Sequence, residues 1–154
     1  MSAGLIGASA VAVWFAILDA IQGQLLATPK MLGTSIGTLF LGADAVSPAA
    51  AFLGYTVLHF AVFMAIGVIV SYVVSSAERT PSILLGFALL FVIFEVGYVG
   101  WTMVLAEGFG SLAWLQVFGA NVVAALTMGI YMWRQHPNLP TRLTQELTSP
   151  SANA

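Results

Sequence analysis

The sequence of 154 residues contains no cysteine. Disulfides, thiolate metal centres and cysteine nucleophiles are therefore excluded. Charge is scarce as well. Asp, Glu, Lys and Arg make up 6% of the chain, against roughly 25% in an ordinary soluble domain. Only four residues are basic, and Lys30, Arg79, Arg134 and Arg142 are scattered rather than clustered. A nucleic-acid partner would find no basic patch with which to neutralise its phosphates. The zinc-hydrolase signature is missing too, since no H-E-x-x-H occurs. Gly97 and Gly100 follow no soluble strand, so they read as packing glycines rather than a nucleotide loop.

What is present is hydrophobic. Apolar residues make up 60% of the chain, and the mean hydropathy is +0.98. That composition excludes disorder for most of the length, because disorder requires low hydrophobicity and high charge. Four long apolar runs stand out, at residues 5–27, 49–74, 83–106 and 112–133. Each is long enough to cross ~30 Å of hydrocarbon at ~1.5 Å per residue. None contains proline or the two-residue alternation of a barrel strand. The first run has no basic residue before it and is interrupted by Asp19 and Gln22, unlike a cleaved signal peptide. The expected fold is all-α: four transmembrane helices in an antiparallel bundle over residues 1–134, then a polar, mostly irregular tail over 135–154.

Arg79, Arg134 and Arg142 fall on one side of this arrangement and Lys30 on the other. The positive-inside rule then puts both termini in the cytoplasm of a bacterial inner membrane. Trp101 and Trp114 mark the outer interface, and Tyr72, Tyr131 and Trp133 the inner one. The turns around 78–82 and 107–111 are short, so their flanking helices are neighbours. Pro81 suits a helix start. Residues 28–48 differ. Leu32, Ile36, Leu39 and Phe40 recur at helical spacing, with Gly33, Thr34, Ser35, Gly37 and Thr38 between them. That pattern predicts a short amphipathic segment at the outer interface, with a re-entrant piece as the alternative. A short helix is expected in the tail over 141–147.

Lipid gives helices little hydrophobic reason to associate, so small residues carry the packing. Ala8, Ala12, Ala16 and Ala20 repeat every four residues and predict a smooth ridge on the first helix. Ala61 with Ala65, Gly67 with Ser71, Ala120 with Ala124, and Ala125 with Gly129 are further candidates.

The candidate functional residues are the polar ones inside the runs. Asp19, His59, Glu95 and Asn121 come one from each run, in a shared layer ~5 Å thick by helical rise. Gln22 shares a helical face with Asp19, and Tyr98 and Thr102 share one with Glu95. A carboxylate near the bilayer centre costs roughly 2.5–3.5 kcal/mol on insertion scales, so it must face protein or water. No basic side chain lies at that depth. Protonation, pairing with a protonated His59, or capture of a cation are the remaining ways to neutralise Asp19 and Glu95.

Four readings follow. The first is ion or proton handling by Asp19, His59, Glu95, Asn121, Gln22 and Tyr98. The second is a metal site of Asp19, His59 and Glu95, suited to iron, manganese or zinc. It lacks the repeated Glu-x-x-His motifs of a two-metal bundle. The third is haem or pigment binding by His59, with Tyr55, Val62, Phe63 and Ile66 on its face. The fourth, the broadest and the favoured one, is a non-catalytic membrane subunit. Its polar layer holds helices together, and its partners are membrane lipid and either copies of itself or larger membrane subunits.

Overall fold

The computed structural model describes residues 2–42, 47–77, 79–80, 82–104, 113–138 and the tail positions 141, 144, 145 and 148. Within the helices, the side chains at 39, 41, 94, 97–104, 113 and 114 lie outside that description. Five α-helices follow one another: α1 (Ser2–Ile21), α2 (Ala27–Leu41), α3 (Pro48–Ala77), α4 (Ser82–Val104) and α5 (Ala113–Gln135). Among the described residues, three stretches are long and apolar enough to cross a membrane: α1, α3, and Leu115–Gln135 within α5. On α4 the described apolar stretch, Ser82–Ile93, is shorter than a span. The protein is therefore an all-α, membrane-associated bundle with three helices of spanning length. The expected Pro81 start, the 107–111 turn and most of the 141–147 tail helix lie outside the described residues.

α1 is the helix that the others share. It runs antiparallel to both α3 and α5, and backbone contact replaces side chains where it crosses α3. A Cβ added at Gly4 would run into the Phe63 carbonyl oxygen and come within 2.8 Å of the Met64 Cα. A Cβ added at Gly67 would run into the Gly4 amide nitrogen and come within 2.6 Å of the Gly4 Cα. Only glycine permits that approach from both sides. Toward α5, Gly7 lies under the Met128 side chain, and Val11 is buried with Ala120 and Ala124. Trp14 lies over Gly119 and donates its indole N–H to the Gln116 carbonyl at 3.0 Å. At the other end of the bundle, Ala3, Val74, Ala77, Met128 and Met132 form a second buried cluster, with Leu84 of α4 packed against it.

The small-residue ridge differs from expectation. Ala8 is buried, but Ala12 and Ala20 are exposed, and the buried face of α1 is Ala3, Gly4, Gly7, Ala8, Val11 and Asp19. The reason is geometric. Four residues turn an α-helix through more than one full revolution, so a strict four-residue row winds off the contact face. Ala120 and Ala124 are buried, and so is Gly67, whereas Ala61, Ala65, Ala125 and Gly129 are exposed.

α1 ends earlier than its apolar run. Gly23 adopts a left-handed φ of 71°. Its N–H donates to the Ala20 carbonyl at 3.0 Å, and the Gln24 N–H donates to the Asp19 carbonyl at 2.9 Å. This is the paired-bond stop that glycine favours at a helix C-terminus. The segment expected to lie at the interface is the helix α2, and it packs on α3. Gly33 is buried against the Ala51 backbone and the Tyr55 side chain, with Leu32 and Ile36 half-buried and Phe40 exposed. The face toward α3 is thus set by a glycine that admits close approach, not by the apolar stripe alone. α3 starts where Ser47 accepts the Ala50 N–H at 3.3 Å, with Pro48 at the first helical position.

The crossing of α1 and α3 should be the most substitution-sensitive packing contact. Gly67→Val forces backbone apart and should lower stability by about 1–3 kcal/mol. Gly86→Ala meets nothing within 4 Å and should be neutral. Thermal unfolding of the two variants in detergent checks this.

Candidate functional site

The polar residues of the runs do not form one layer of contacts. They fall into two separate groups.

The first group is built on the end of α1. Asp19 is 4% exposed. One carboxylate oxygen accepts the Thr28 N–H at 2.9 Å, and the other accepts the Thr28 hydroxyl at 2.6 Å. Thr28 lies in the first turn of α2. The residue at the usual capping position, Leu26, has a left-handed φ of 61° and makes no side-chain cap. Asp19 therefore does from the neighbouring helix what an N-cap residue does locally. It satisfies an orphan N–H and puts negative charge at the positive end of the α2 dipole. Pro29 follows, at a place where its missing N–H costs nothing.

His59 belongs to the same end of the molecule. Its Nε2 lies 3.0 Å from the Ala8 carbonyl oxygen. A carbonyl only accepts, so Nε2 is the donor of this contact. Aromatic rings surround it: Tyr55 stacked at 5.7 Å, Phe60 edge-on at 5.6 Å and Phe63 tilted at 4.8 Å. Val62 and Ile66, expected on the same face, are exposed. Asp19 and His59 both line a cavity of about 160 Å³ between α1, α2 and α3. Ligand pockets for drug-sized molecules are roughly 300–1,000 Å³, so this cavity is smaller than those.

The second group bridges α4 and α5. Glu95 is 6% exposed, and its Oε1 accepts the Asn121 side-chain amide at 2.7 Å. Its Oε2 is buried with no hydrogen-bond partner among the described residues. On α4, Glu95 is the buried side chain among those described, while Leu85, Leu89, Leu90, Val92, Ile93 and Val96 are exposed.

The remaining candidates divide as follows. Gln22 is exposed in the turn after α1. The side chains of Tyr98 and Thr102 lie outside the described residues, as do those of Trp101 and Trp114. Among the described residues no group of three His, Cys, Asp or Glu side chains stands close enough to hold a metal ion. Asp19, His59 and Glu95 are thus not gathered into a three-ligand set. The residues that sequence reasoning missed are Thr28 and Trp14. A Thr-Pro pair five residues after a glycine stop signals a new helix start, and that signal was available for Thr28. Trp14 gave none, because its partner is a backbone carbonyl on α5.

No known family model matches this chain, and no curated protein or solved structure matches it either.

The capping role of Asp19 sets a measurable coupling. Asp19→Ala and Thr28→Val should each cost about 0.5–2 kcal/mol, the range for a lost helix cap. The double variant should cost clearly less than their sum, because both remove one interaction. A double-mutant cycle on unfolding in detergent measures it, and full additivity would remove the cap from the account.

Proposed function

We propose that the protein is a four-span integral membrane subunit with no catalysis of its own, working inside a larger membrane complex. The proposed setting is a bacterial inner membrane with both termini in the cytoplasm. The observation that carries this reading is the local commitment of each buried carboxylate. Asp19 holds the start of α2, and Glu95 holds Asn121 of α5. Both act as joints between helices, and among the described residues no hydrogen bond links one group to the other. A connected relay would need that link. α4 supports the same reading, because its exposed apolar residues leave a broad surface for other transmembrane helices.

Autonomous proton or cation handling is the second reading. One specific observation favours it: the buried Glu95 Oε2 without a partner. Unsatisfied buried polar atoms are uncommon, and one on a carboxylate is where a proton or cation would be taken up. Copies of the chain would have to complete a path.

Gentle extraction at native expression separates the two. The subunit reading expects additional protein mass in the native complex, and Glu95→Gln should leave that complex intact. A bare homo-oligomer whose ion flux is abolished by Glu95→Gln would replace it with the second reading.

A further inference from the structure

The cavity between α1, α2 and α3 is independent of the α4–α5 pair, and its lining has a definite chemistry. Phe15, Phe52, Tyr55 and Phe60 bring aromatic rings to it, and Asp19 brings a carboxylate. No Lys or Arg lines it. From these residues we infer that the cavity is a binding site for a trimethylammonium group, either on a free small molecule or as the headgroup of a choline lipid.

Three considerations select that ligand. The first is size. A cavity of about 160 Å³ is close to the ~150 Å³ that accepts a benzene-sized guest. The second is charge. Thr28 gives each Asp19 oxygen one hydrogen bond, yet a carboxylate offers about four acceptor sites. The negative charge therefore faces an apolar cavity with no basic side chain to balance it. A neutral guest would leave that charge desolvated, whereas a cation offsets it. The third is the kind of cation. Calcium-type ions require six or more oxygen ligands, which this wall does not supply. A primary ammonium binds chiefly by donating its three N–H groups to acceptors, and aromatic rings rather than acceptors dominate this wall. A quaternary ammonium needs no acceptors, and the faces of aromatic rings attract it.

The test uses the full chain in maltoside detergent, with choline as the probe and 3,3-dimethyl-1-butanol as its uncharged carbon counterpart. Equilibrium dialysis should show choline binding at least tenfold more tightly than the alcohol. Phe52→Leu keeps an apolar wall but removes a ring, and should weaken choline binding about two- to fivefold. Asp19→Asn should abolish binding. Because that variant also disturbs the α2 cap, the Phe52→Leu result stands as an independent check. Nanodiscs of phosphatidylcholine against phosphatidylglycerol identify the source: loss of choline binding only in the former marks a lipid headgroup, and retention in both marks a free ligand. Equal binding of choline and the alcohol would overturn the inference. So would no choline binding at millimolar concentration in detergent, or affinity unchanged by both substitutions.

Discussion

The arrangement depends on how closely α1 approaches its neighbours. At Gly4 and Gly67 the backbones of α1 and α3 meet without side chains between them. In lipid there is little hydrophobic gain in bringing two apolar helices together, so dispersion at such close contacts carries the association. Once α1 and α3 are fixed there, the adjoining side of α1 presents Gly7, Val11 and Trp14 to α5. The other helices are positioned relative to this three-helix unit. α4 is the least enclosed of them, tied by Leu84 at one end and by Glu95 further along.

The buried acidic residues acquire their meaning within that frame. Asp19 lies at the C-terminal end of α1, where the helix dipole disfavours negative charge. The start of α2 reverses the balance, since its positive end and the Thr28 donors face the same carboxylate. One residue thus closes one helix through its backbone carbonyl and opens the next through its side chain. Glu95 is in a different situation. Among the described residues it has one partner, a neutral amide, and a second oxygen with none. The two carboxylates share a chemistry but not an environment, and a single functional role does not follow for both.

Much of the fold is legible in the sequence, because apolar run length is a strong signal and turn chemistry refines it. The runs at 49–74 and 112–133 differ from α3 and α5 by a few residues at their ends. The run at 5–27 overshoots α1, since hydropathy does not register the left-handed turn at Gly23. Leu25 and Leu26 are apolar but belong to the connection. The character of residues 28–48 was half legible. Helical spacing was visible, but packing on α3 through Gly33 required knowing which helix lay opposite. The alanine ridge misled for a related reason: regular spacing in sequence does not guarantee one face over three turns.

The site was less legible than the fold. Residue type identified Asp19, His59, Glu95 and Asn121, and burial agrees for both carboxylates. A shared depth places these residues in one layer, yet depth fixes only one coordinate. Which helices are adjacent decides the rest: α1 packs on both α3 and α5, and Val74 and Ala77 of α3 meet Met128 and Met132 of α5 beside Ala3. Cross-linking in native membranes tests this placement most directly, using paired cysteines in a naturally cysteine-free chain and a short bifunctional thiol reagent. The account predicts that pairs at Ala8 with His59 and at Val11 with Ala124 cross-link readily, and that His59 with Ala124 does not. Efficient cross-linking of His59 with Ala124, alongside failure of the two α1 pairs, would contradict it.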